Sequence, residues 1–69
     1  MPKGTVKWFN ATKGYGFIEP AEGGKDVFVH ISALERAGLR SLQDGQAVEY
    51  ELGQDPRGRM SAENIVVEG

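Results

Sequence analysis

The sequence predicts an all-β fold in which five short strands close into a small barrel, and three observations carry that reading. Runs of β-branched and aromatic residues alternate with glycine-bearing turns. No segment keeps a helical period for more than a turn or two. Five strands in 69 residues would leave exposed edges in an open sheet, and closure removes them.

The first strand is expected at Gly4 to Asn10 (GTVKWFN), followed by a tight turn from Ala11 to Gly14. Tyr15 to Glu19 (YGFIE) forms the second strand and Asp26 to Ile31 (DVFVHI) the third. Between them lies a loop of Pro, Gly and charge from Pro20 to Asp26. The Asp44-Gly45 turn opens a fourth strand from Gln46 to Leu52. The reversal from Gln54 to Gly58 leads into the last strand, Ser61 to Val67. One helical turn is expected at Ser32, Ala33, Leu34 and Glu35, where Ser and Glu have capping-box spacing and Gly38 supplies a stop. No repeat or linker divides the chain, so residues 1–69 are read as one domain.

Composition narrows the function. There is no cysteine and only one histidine, His30, so neither a disulfide framework nor a thiolate or multi-histidine metal site is expected. Neither a metal nor a cofactor is called for, and no phosphate-cradling loop of the Walker type occurs. No apolar run approaches the roughly 20 residues of a membrane span. Met1-Pro2-Lys3-Gly4 does not open a signal peptide, so a cytoplasmic location is expected. The net charge is −2, yet residues 1–18 carry Lys3, Lys7 and Lys13 and no acid. Trp8, Phe9, Tyr15, Phe17 and Phe28 also lie in the first half, and only Tyr50 lies later.

Strand alternation then gives two apolar faces where one is expected. Tyr15 and Phe17 point one way in the second strand, and Phe28 and His30 share a face in the third. The aliphatic residues Val6, Ile18, Val27, Val29, Leu34, Val48 and Ile65 suffice to fill one small core. Nothing remains to cover the aromatic face, so it stays exposed, which asks for a function. An aromatic stripe flanked by lysines suits single-stranded nucleic acid, because every base offers a π-face and the lysines meet phosphates. Trp8 is ambiguous. Strict alternation puts it beside core-like Val6, whereas a β-bulge would turn it outward.

The segments GTVKWFN (from Gly4), KGYGFI (from Lys13) and DVFVH (from Asp26) resemble a bacterial cold-shock protein, and the resemblance spans nearly the whole chain. It implies a five-stranded antiparallel barrel of the oligonucleotide-binding (OB-fold) type, with one short helical turn. It also implies a cytoplasmic, monomeric binder of single-stranded RNA and single-stranded DNA, with no membrane or metal partner. Such a protein acts as a passive RNA chaperone that influences transcription termination and translation under cold stress. By the same resemblance, Trp8, Tyr15, Phe17, Phe28 and His30 form the stacking platform, with Trp8 facing outward. Lys7, Asn10, Lys13, Asp26 and Arg57 supply phosphate or polar contacts, Asp26 having a turn role as its alternative and Arg59 being the second basic candidate beside Arg57. Phe9, Ile31 and Leu39 are flanking apolar contacts, the last two standing where many family members carry phenylalanine.

Three other readings fit less well. A βαββαβ ribonucleoprotein domain needs two full helices. A nuclease using His30 as general base lacks a second histidine or a compact carboxylate cluster. An SH3-like adaptor would not call for lysines around the KGYGF stretch.

Overall fold

The computed structural model of the protein describes residues 2–54 and 58–68. Its elements run β1 (Lys3–Asn10), β2 (Tyr15–Pro20), β3 (Val27–His30), α1 (Ile31–Arg36), β4 (Ala47–Gln54) and β5 (Met60–Val67). The strands close in the order β1-β2-β3-β5-β4, with β4 returning to pair with β1. Every pairing is antiparallel except β3 with β5, which meet in parallel at Phe28 and Ser61. The fully antiparallel expectation is corrected at that seam. A strand that must cross α1 and β4 before returning beside β3 arrives in the same direction.

Two bulges break the alternation of side chains. In β1, Val6 pairs with Ile18 but Trp8 pairs with Phe17, so Lys7 is the extra residue. In β5, Val66 pairs with Glu49 and Glu63 with Glu51, leaving Asn64 and Ile65 opposite Tyr50. Asn64 takes a left-handed conformation (φ 49°), as an unpaired bulge residue can. This lets Ala62 and Ile65 both face the core, although they are three positions apart.

The core holds the seven aliphatic residues expected from the sequence, together with Leu42, Tyr50 and Ala62. Tyr50 is 1% exposed, and its burial, aided by the charge of Glu22, pushes its hydroxyl pKa above the ordinary tyrosine value. The helix differs from expectation at its start. His30, not Ser32, is the N-cap, and its Nδ1 accepts from the Ser32 N–H at 3.1 Å. At the other end Gly38 N–H bonds to Glu35 O and Leu39 N–H to Leu34 O, a Schellman arrangement that needs the positive φ of Gly38 (78°).

Gly16 lies where β1 and β2 approach most closely. A Cβ there would meet Trp8 O at 2.4 Å and Phe9 Cα at 2.7 Å, both main-chain atoms that cannot swing aside. Gly16→Ala is therefore expected to destabilise the fold by about 2 kcal/mol or more, as overpacking against an unyielding neighbour does. Urea unfolding followed by Trp8 fluorescence measures this, and an unchanged midpoint would contradict the close approach.

Candidate nucleic-acid interface

The bulge at Lys7 exchanges the inward and outward faces of β1. Val6 is buried, Trp8 is 37% exposed, and Phe9 turns back over Gly16 toward the core. The register then places Trp8, Phe17 and Phe28 in one row across β1, β2 and β3. Asn10, Tyr15 and His30 form a parallel row two residues along. The rings touch within and between rows: Trp8 lies 5.3 Å from Phe17 and 5.6 Å from Tyr15, both edge to face. Tyr15 stacks near-parallel to Phe28 at 6.0 Å, and Phe17 meets Phe28 edge-on at 5.9 Å. His30 lies tilted beside Phe28 at 6.4 Å. The Arg59 guanidinium sits 5.2 Å from the centre of the Phe28 ring, a cation–π contact brought from the start of β5.

Polar groups frame the grid. Lys7 Nζ donates to Asp26 Oδ2 at 3.0 Å, so two residues expected to contact ligand bind each other in the free protein. That hydrogen bond, then the Asp26 charge, raises the Lys7 pKa above the ordinary lysine value. Asn10 Oδ1 accepts from Lys13 N–H at 3.0 Å, and Asn10 O accepts from Gly14 N–H at 2.7 Å. Asn10 thus builds the β1–β2 turn, which leaves the exposed Lys13 beside the platform. Because Nδ1 of His30 accepts the Ser32 N–H, the neutral ring carries its proton on Nε2, which becomes the donor a ligand meets.

The flanking apolar residues are all partly buried. Phe9 and Leu39 pack against the core, Leu39 because the residue after a Schellman glycine folds back onto its helix. Ile31 is half-buried beside Gly14, whose Cβ would meet Ile31 Cγ2 at 3.2 Å. Arg57 lies outside the described residues. No group of three or more His, Cys, Asp or Glu able to hold a metal ion occurs among the described residues. No helix among them is long and apolar enough to cross a membrane. The pairing of β3 with β5 also brings Arg36 of α1 and Arg59 to one cleft beside Phe28 and His30, a proximity that local pattern does not encode.

A closed five-stranded barrel that turns a contiguous grid of aromatic rings outward, edged by cations, belongs to the class of small OB-type nucleic-acid-binding domains. The family model described as 'Cold-shock' DNA-binding domain matches residues 2–68, and the chain belongs to that nucleic-acid-binding, non-enzymatic family. It is 67% identical over 66 residues to the "Probable cold shock protein y4cH" of Sinorhizobium fredii, covering 94% of this chain and 96% of that one. It is 59% identical to cold shock protein CspA of Rhizobium meliloti over 66 residues, with the same coverage. With CspA of Staphylococcus aureus the identity is 58% over 66 residues, covering 96% and 97% of the two chains.

The Lys7–Asp26 pair has a definite pH signature. A raised lysine pKa means that the fold holds the proton more tightly than the unfolded chain does. The pair's contribution is therefore complete below about 10.5 and is lost as pH rises through the folded value. A 13C titration of Lys7 Cε should show a midpoint above 10.5 in the native protein, returning toward 10.5 in Asp26→Asn. Identical midpoints would mean that the contact does not persist in solution.

Proposed function

We propose that the protein binds single-stranded RNA and single-stranded DNA across β1, β2 and β3 and acts as a passive RNA chaperone. The observation that carries this reading is the register-aligned grid of Trp8, Phe17, Phe28, Tyr15 and His30, side by side on one face and each at least partly exposed. Bases within a duplex cannot reach these rings, because both of their faces are already stacked. By capturing only unpaired bases, the protein shifts hairpins toward their open forms by mass action. It requires no nucleotide hydrolysis and works as a cytoplasmic monomer. Open transcripts then remain accessible to ribosomes, and terminator hairpins are weakened, which matters most in the cold.

The stacking residues have unequal roles. Phe17 lies in the middle of the row between Trp8 and Phe28, and Phe28 at its β3 end contacts the rings of Tyr15, Phe17 and His30. Lys13 supplies charge without a ring contact. Lys7 can do so only by exchanging Asp26 for a phosphate, so its net electrostatic gain is smaller.

Titration of Trp8 fluorescence with a pyrimidine-rich strand of about six to eight nucleotides tests the reading, and the matching duplex is expected to bind far more weakly. Phe17→Ala and Phe28→Ala should each weaken binding by about 1–3 kcal/mol while leaving the fold intact. Lys13→Ala should flatten the slope of log affinity against log salt by about 0.7, and Phe17→Ala should leave that slope unchanged. Equal affinity for the duplex would overturn the stacking mechanism.

A further inference from the structure

The aromatic row does not end at β3. Phe28 pairs with Ser61 of β5, so a strand crossing Trp8, Phe17 and Phe28 meets β5 one strand spacing further on. At that point a cleft of about 620 Å³ opens between α1 and β5. Phe28 and His30 form its near wall, so it is continuous with the platform. Arg36, from the last turn of α1, and Arg59 bring two guanidinium groups to it, against the single carboxylate of Glu63. The lining of the cleft thus holds two arginines and one glutamate on a chain whose net charge is −2. Among the described residues Arg36 enters no ion pair, whereas Lys3 pairs with Glu49 and Glu68, and Lys7 with Asp26. The amide of Asn64, held by the β5 bulge, also faces the cleft with a donor and an acceptor.

We propose that this cleft is a further nucleotide subsite, and that Arg36 contacts the phosphodiester of the nucleotide next beyond the Phe28–His30 edge. The inference rests on the reading of the platform as a single-strand binding surface. The chemistry favours a phosphate because guanidinium groups match its oxygens with paired N–H donors. His30, whose Nδ1 accepts from Ser32 N–H, also lines the cleft.

The test compares Arg36→Gln with the native protein on two oligothymidylates. One, about six nucleotides long, covers the platform, and the other carries about three additional abasic nucleotides at one end or the other, which add phosphates without bases. Arg36→Gln should bind the short strand as the native protein does. The native protein should gain affinity from the abasic extension at one end only, and Arg36→Gln should lose that gain, about tenfold at low salt. The salt slope on the extended strand should fall by about 0.7, and Arg36→Lys should restore the slope. An unchanged slope and an undiminished gain in Arg36→Gln would overturn the subsite. Failure of the native protein to bind the short strand would instead overturn the platform reading, so the two failures are distinct. Arg36 is exposed, and far-ultraviolet circular dichroism of the variant checks that α1 survives.

Discussion

One extra residue in β1 governs the surface of this barrel. Without the bulge at Lys7, alternation would place Trp8 on the same side as Val6, inside a core that has no room for an indole. With it, the same strand gives Val6 to the core, Trp8 to the outside and Phe9 back to the core. The bulge also leaves Lys7 unpaired in the β1–β2 ladder, so that its side chain reaches Asp26 at the foot of β3. The indole's position and the Lys7–Asp26 bridge are two results of the same irregularity.

Gly16 completes the constraint from the opposite strand. Phe9 turns inward over Gly16, and only a residue without Cβ lets the two backbones come together. Tyr15 and Phe17 on either side are thereby held level with Trp8, close enough for edge-to-face contact. Such ring pairs contribute roughly 0.5–1.5 kcal/mol beyond area burial, which offsets part of the cost of leaving aromatics in water. The rings also fix one another's orientation before any ligand arrives. Fewer side-chain rotamers then have to be frozen on binding, so more of each stacking contact is expressed as affinity.

Much of this was legible in the sequence because it depends on local pattern. Gly4 to Asn10 and Tyr15 to Glu19 lie within the observed strands, and Val6, Ile18, Val27, Val29, Leu34, Val48 and Ile65 are all buried. What could not be read depends on long-range partners. The orientation of Trp8 turns on a bulge whose only cause is the register with β2, and alternation alone left it open. The Ser32–Glu35 spacing suggested a capping box, but His30 reaches the Ser32 N–H first because β3 delivers its ring to the helix start. Leu39, expected to flank the platform, is partly buried against the core by the Schellman turn at Gly38, a placement that strand pattern does not encode. Tyr50, the one aromatic of the later half and absent from the core expected from the sequence, is enclosed because β4 faces inward there, opposite the second bulge.

The charge distribution follows from the same geometry. A net charge of −2 would oppose a polyanion if it were spread evenly, but several of the acids are held in pairs with lysines on the frame. Lys3 engages Glu49 and Glu68, and Lys7 engages Asp26, so two lysines offset two of these three carboxylates, and what remains is screened beyond about 8–10 Å. If the aromatic grid binds a single strand as proposed, its affinity then comes mainly from contact with bases and little from long-range attraction for phosphate. A duplex presents its charge first and its bases not at all. On the proposed function, a weakly cationic and strongly aromatic surface would discriminate against duplex by what it omits: the broad basic field that would hold a phosphate backbone without opening it.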